Sequence, residues 1–213
     1  MPQLIPAILA KTKKDFLAKL KSIDGIAPMI QIDVMDGAFV KNKTWFDLIT
    51  LNGLRTKSSF ELHLMVKNPA DFISRLEELP NIARVIWHIE AAENHLDTIR
   101  LVRHQGWQAG MAISPDTRLT KLEPFLDLID EVLVMGSAPG FSGKELEMRM
   151  VDRVQELHAN HPELAIGFDI GVNAKTIPML VRAGVSRLCT ASAIFGAENP
   201  KKAYRGLVEI ADI

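Results

Sequence analysis

The chain has 213 residues, of which 47% are hydrophobic and 24% charged, enough apolar material for a sizeable core and too much for a disordered polymer. Lys plus Arg is 25 and Asp plus Glu is 26, and a net charge of −1 excludes a polybasic nucleic-acid binder. The single cysteine, Cys189, excludes a disulfide framework and a cysteine-rich zinc or iron–sulfur site. With nine Met and six His, it points to a reducing compartment, the cytoplasm. No run of about 18 apolar residues occurs, so no membrane span is expected. The start runs apolar (Leu4 to Leu9) and then basic (Lys11, Lys13, Lys14), the reverse of a signal peptide.

Short apolar runs alternate with longer amphipathic stretches along the whole chain. In order, a strand over Leu4–Leu9 precedes a helix over Lys13–Ser22, and a strand over Met29–Val34 precedes a helix over Trp45–Leu54. Strands over Phe60–Met65 and Arg84–Ile89 lead into helices over Ala70–Glu78 and Glu93–Gln105. Gln108–Ile113 and Glu131–Met135 lead into Leu119–Leu128 and Glu145–Asn160. Leu164–Asp169 and Arg187–Thr190 lead into Ala174–Arg182 and Pro200–Ala211. Asn68-Pro69, Asn173 and Asn199-Pro200 read as helix starts, and Gly184 as a helix stop.

Eight strand–helix units of roughly 27 residues each imply an α/β fold, a parallel sheet with right-handed crossovers closed as a compact TIM (β/α)8 barrel. The units use nearly all of residues 1–213, so one domain is expected. An open doubly wound sheet competes, but no G-x-G-x-x-G follows the first strand.

Chemistry in such a barrel sits at the C-terminal ends of the strands, and alternate strand residues share a face. Gln31 and Asp33 therefore share one face of the second strand, Glu61, His63 and Met65 one of the third, and Gly167 and Asp169 one of the seventh. Each residue singly has an ordinary structural explanation, because strand-end aspartates cap turns and a lone histidine is usually hydrogen-bonded scaffold. Three strand ends converging Asp33, His63 and Asp169 would suit a divalent metal. His88 and Glu90 read as structural, and His95, His104, His158 and His161 as surface residues on helices. Met35, Met65 and Met135 follow strand ends and read singly as core filler. Glycine-containing segments at Ser137–Gly143, Asp169–Val172 and Ala191–Gly196 follow the last three strands, where barrels of this kind hold phosphate on backbone amides.

Taken together, Ile32-Asp33-Val34-Met35-Asp36-Gly37, Leu62-His63-Leu64-Met65-Val66, Pro139-Gly140-Phe141 and Ala191-Ser192-Ala193-Ile194-Phe195-Gly196 closely resemble the ribulose-phosphate 3-epimerase family. Pro6-Ala7-Ile8-Leu9 and Trp87-His88-Ile89-Glu90-Ala91 add to the resemblance, which spans nearly the whole chain in the family's order. The resemblance implies an isomerase of the pentose phosphate pathway that inverts C3 of a ketose phosphate through a metal-stabilised enediolate. By resemblance Asp33 and Asp169 are the acid/base pair, and Asp33, His63 and Asp169 hold one divalent metal ion: zinc, iron, manganese or magnesium. It also implies a substrate and phosphate pocket at Ala7, Met35, Met65, Met135, Gly140, Phe141, Ser142, Gly143, Gly171, Ala191 and Ser192, and a homo-oligomer.

Departures from the family pattern cluster at the site. Gln31 stands where the family places a fourth metal ligand, a histidine. A glutamine oxygen is a poor ligand for zinc or iron and a tolerable one for magnesium or manganese, so the metal is weakened or lost if Gln31 does not ligate. Ala7 replaces a serine, Ile170 a glycine, and Ala191 the glycine of a Gly-Ser pair. Two alternatives follow: a non-catalytic or weakly active phosphosugar-binding barrel that has lost its metal site, or a related phosphosugar decarboxylase. The second needs Asp-x-Lys-x-x-Asp, and Met35 occupies the lysine position of Asp33-Val34-Met35-Asp36.

Overall fold

The computed structural model describes residues 1–76, 79, 81–91 and 94–212. Eight parallel strands close into a barrel in chain order: β1 (Gln3–Ile8), β2 (Met29–Met35), β3 (Ser59–Met65), β4 (Ile82–His88), β5 (Gln108–Ile113), β6 (Glu131–Met135), β7 (Ala165–Asp169) and β8 (Arg187–Thr190). The ring is completed by β1 against β8, from Gln3 opposite Arg187 to Pro6 opposite Thr190. Every strand lies within two residues of its expected position, because apolar runs bounded by Gly, Pro and Asn leave little freedom in where a buried strand starts.

The helices are α1 (Lys13–Ile23), α2 (Leu48–Asn52), α3 (Pro69–Ile73), α4 (His95–His104), α5 (Arg149–Asn160), α6 (Ile177–Ala183), α7 (Ser192–Phe195) and α8 (Pro200–Ala211). Local chemistry sets several ends. Asn199 accepts the amide of Lys202 at the start of α8, and Gly184 ends α6 with a left-handed φ of 108°. Asn173 instead receives the Lys175 amide one turn ahead of α6, whose cap position is Thr176.

Four helix expectations are corrected. The expected Trp45–Leu54 helix shrinks to α2 because the Trp45 amide bonds the Ala10 carbonyl and its ring packs on Phe16, holding 45–47 extended. Asp47 then caps the helix through the Thr50 amide. Leu119–Leu128 forms two 3₁₀ turns, since Pro124 removes an amide and disfavours helical backbone at Glu123. The expected Glu145–Asn160 helix begins only at Arg149, the preceding residues being used as loop over the barrel mouth. The short helix α7 went unforeseen. The expected Ala70–Glu78 helix is cut to α3, which stops at Ile73 with 74–76 outside the helix; its expected end at Glu78, like the expected start of the Glu93–Gln105 helix, lies outside the described residues.

Strand alternation sorts the apolar residues into two cores. Outward side chains such as Ile30, Ile32 and Val34 join Phe16, Leu20 and Ile23 of α1 in a large layer between sheet and helices. Removing one such large side chain, as in Phe16→Ala, should cost about 3–5 kcal/mol. The inner core is small: Ile5, Ile86, Leu133, Met135, Ile170 and Cys189. Below it, Arg84 is buried between Glu61 and Glu131, and Arg187 reaches Glu131 at 2.5 Å. Burial and the Glu131 charge outweigh Arg84 there and raise the Glu61 pKa to about 7. Among the described residues, no helix is long and apolar enough to cross a membrane.

Candidate active site at the barrel mouth

Asp33 and His63 are register partners on adjacent strands, and both point inward at the C-terminal end of the barrel. Asp169 ends β7, nearly opposite them around the ring. One side-chain atom from each of Asp33, His63 and Asp169 lies within 4.8 Å of the others. His63 Nδ1 is 3.1 Å from Asp33 Oδ1 and 3.5 Å from Asp169 Oδ2. The three expected ligands are thus brought together.

Gln31, one strand step below Asp33, completes the group. Its Nε2 donates to Asp33 Oδ1 at 2.8 Å and to Asp169 Oδ2 at 3.0 Å. Its Oε1 is buried and has no hydrogen-bond partner. An unsatisfied buried carbonyl costs about 1–3 kcal/mol, and such exceptions cluster at functional sites.

Electrostatics follow from burying two carboxylates together. Burial raises the pKa of Asp33, and the Asp169 charge adds to this against the hydrogen bonds of His63 and Gln31. Burial alone would lower the His63 pKa, but hydrogen bonds and charge from Asp169 and Asp33 outweigh it and lift it to about 9. The group therefore favours positive charge on the imidazole, held between the two carboxyls.

Above the cluster opens a cleft enclosing about 410 Å³, its solvent-facing part included. Met35, Met65 and Met135 line its floor around Asp33 and Asp169. Gly140, Phe141, Ser142, Gly143, Gly171, Ala191 and Ser192 complete its lining. Ala7 lines an adjoining cavity with Leu9, Ser142, Ala191 and Ser192 instead. Gln31 and His63, both buried, lie beneath the floor.

The walls depend on unusual backbone. A Cβ on Gly171, whose φ is 80°, would meet the Leu146 amide nitrogen at 2.6 Å, so only glycine lets the loop before α5 close over the mouth. Asn42 donates to the Gly140 carbonyl at 2.5 Å and ties that loop to the one after β2. Ile170 has a φ of 74°, which costs a β-branched residue roughly 1–3 kcal/mol. Its amide is held by Asp169 Oδ1 at 2.7 Å, and its side chain packs with Met135 and Cys189.

Three features were not foreseen from sequence. Lys19 of α1 reaches the cavity beside Ala7 and Ser192, its Nζ bonded to the Leu9 carbonyl at 2.7 Å and to Asp15 at 2.9 Å. Helical spacing gave no reason to place it near β1 and β8. Asp36, beside the site in sequence, is scaffold: it accepts the amides of Ala38, Phe39 and Lys67. His95 is a correction: it is partly buried and accepts a hydrogen bond from Trp87 Nε1 at 3.2 Å.

Residues 3–195 match the ribulose-phosphate 3 epimerase family. The chain is 34% identical to a ribulose-phosphate 3-epimerase of Bacillus subtilis, covering 95% of this chain and 96% of the relative. It is 32% identical to the Aquifex aeolicus ribulose-phosphate 3-epimerase, over 97% and 96%. The cytoplasmic isoform of rice is 31% identical over 85% and 81%. Solved structures share the barrel at low identity. The 3-keto-L-gulonate-6-phosphate decarboxylase of Vibrio cholerae superposes with a TM-score of 0.74 at 15% identity, covering 99% of this chain and 97% of that one. The 3-hexulose-6-phosphate synthase of Salmonella typhimurium gives 0.74 at 12%, over 98% of each.

Proposed function

The chain belongs to the ribulose-phosphate 3-epimerase family and is an epimerase, and from that premise we propose that it inverts C3 of a ketose phosphate with Asp33 and Asp169 as the acid/base pair. D-Ribulose 5-phosphate, giving D-xylulose 5-phosphate, is the substrate that the relatives' names suggest. The observation that carries the reading is the pair itself: two nearly buried carboxyls on β2 and β7, at one methionine-lined cleft.

Inverting a carbon needs a base on one face and an acid on the other. One aspartate takes the C3 proton, and the C–H electrons pass toward the neighbouring carbonyl to form an enediolate. The other aspartate delivers its proton to the opposite face of C3 as the double bond returns to the carbonyl. Burial raises the Asp33 pKa, which eases the proton uptake that this exchange requires of it. Met35, Met65 and Met135 offer an apolar, deformable surface that excludes water from the carbanionic carbon. Backbone around Gly171, Ala191 and Ser192, in the cleft lining, suits the phosphate without a surplus of basic side chains.

The residues fit one divalent ion. Asp33, His63 and Asp169 offer three hard or borderline donors, and rotation of the Gln31 amide would exchange its partnerless Oε1 for Nε2 at the cluster. When bound, such an ion would supply positive charge against the enediolate oxygens. Before an ion binds, His63 carries charge of the same sign through its raised pKa, and Gln31 contributes two N–H groups to the carboxyls.

Incubation with D-ribulose 5-phosphate in heavy water, with magnesium, manganese, zinc or iron(II), tests the reading. Deuterium at C3 in substrate and product is expected. No incorporation with any of these ions would overturn it and favour a barrel that only binds phosphosugars.

A further inference from the structure

A hydrogen-bonded line runs from the site into the wall of the barrel. His63 Nε2 lies 3.0 Å from His88 Nε2, and His88 Nδ1 lies 3.2 Å from Glu90 Oε2. Both imidazoles are fully buried, and the rings stack with centroids 5.1 Å apart. Phe39 covers His88 from the other side at 4.8 Å. Nothing in the acid/base chemistry above uses His88 or Glu90.

Proton positions along this line are decided by elimination. The other Glu90 oxygen, Oε1, accepts the Ser114 amide at 2.9 Å, so the carboxylate is an acceptor on both sides. Burial would raise the Glu90 pKa, but His88, Thr117 and Ser114 outweigh it and bring it down to about 2. Facing a carboxylate, His88 Nδ1 carries the proton. With its proton on Nδ1, the ring turns a bare Nε2 toward His63. A bare nitrogen 3.0 Å from His63 Nε2 can only accept, so the His63 proton sits there. His63 Nδ1 is then the atom turned to Asp33 and Asp169, whether it binds a further proton or a cation.

We propose that Glu90, acting through His88, is a positioning residue that holds His63 in the Nε2–H form with Nδ1 aimed between the two aspartates. This rests on the reading of Asp33, His63 and Asp169 as the reactive group. Loss of the Glu90 acceptor frees His88 to carry its proton on Nε2, which would set two N–H groups against each other and turn the His63 ring. Outer partners of this kind change activity or metal affinity by roughly 10–100-fold.

The test is nitrogen-15 NMR of histidine-labelled protein, with kinetics and manganese titration on the same samples. In the unsubstituted protein, His88 should show a protonated Nδ1 and a bare Nε2. Glu90→Leu should move the His88 proton to Nε2, lower kcat by roughly 10–100-fold with KM within about two-fold, and weaken manganese binding. Glu90→Gln keeps an oxygen acceptor and should restore both the tautomer and most of kcat. A proton on His88 Nε2 in the unsubstituted protein, or Glu90→Leu with an unchanged tautomer, overturns the proposal. If Glu90→Leu fails to fold, the spectra of the unsubstituted protein and Glu90→Gln decide it. If no ketose phosphate is turned over, the proposed function fails while the tautomer still decides this inference.

Discussion

Nε2 of Gln31 lies 3.0 Å from Oδ2 of Asp169, so a side chain from the second strand reaches the end of the seventh across the barrel mouth. Its other N–H goes to Asp33 at 2.8 Å, so one neutral amide separates two buried carboxyls. A histidine here would offer a nitrogen ligand and no second donor.

Gln31→His should therefore tighten zinc binding by at least about ten-fold, because imidazole suits zinc better than an amide oxygen. Calorimetric titration of chelator-treated protein measures this. Equal zinc affinity in the two proteins would show that the amide does not limit the site.

Asp33→Asn and Asp169→Asn should each reduce kcat by roughly 10²–10⁴-fold, the usual contribution of a positioned acid or base. Both variants should melt within a few degrees of the parent protein, since each removes half of a like-charged pair at nearly constant volume. Steady-state rates with either epimer, read beside the melting curves, separate chemistry from folding. Turnover near the parental rate in either variant would remove that aspartate from the pair.

Stability of the metal-free protein should fall as pH rises from about 6.5 to about 9. The folded protein holds the His63 proton more tightly than the unfolded chain, with a pKa raised to about 9 from 6.5. Its contribution is complete below the unfolded value and is lost as pH passes through the folded one. Melting temperatures in chelator across this range check the slope, and His63→Gln should flatten it. An unchanged slope in that variant would assign the effect elsewhere.

Lys19→Ala should raise KM for a sugar phosphate about ten-fold and leave kcat within about two-fold. The amine stands in the cavity beside Ala7, Ser142 and Ser192, and a hydrogen bond to a charged group contributes about 1.5–3 kcal/mol. Kinetics at low and moderate salt measure it, with the larger difference expected at low salt. An unchanged KM would mean that Lys19 serves only Leu9 and Asp15.

Strands, barrel order and the inward faces of Gln31, Asp33, His63 and Asp169 were determined by sequence alone. Their signals are local: period-two alternation, apolar run length and punctuation by Gly, Pro and Asn. Helix lengths were less legible, because the contacts of Trp45 with Ala10 and Phe16 are made only when the barrel closes. The fold also decided that Gln31 points its amide at both carboxyls, that His63 meets His88, and that Lys19 stands beside Ser192. Gln31 and Asp169 are far apart in the chain, and a pattern that reads one strand at a time carries no distance between two. Ile170 shows the same limit: sequence marks it as unusual after Asp169, and only the packed inner core offsets its φ of 74°.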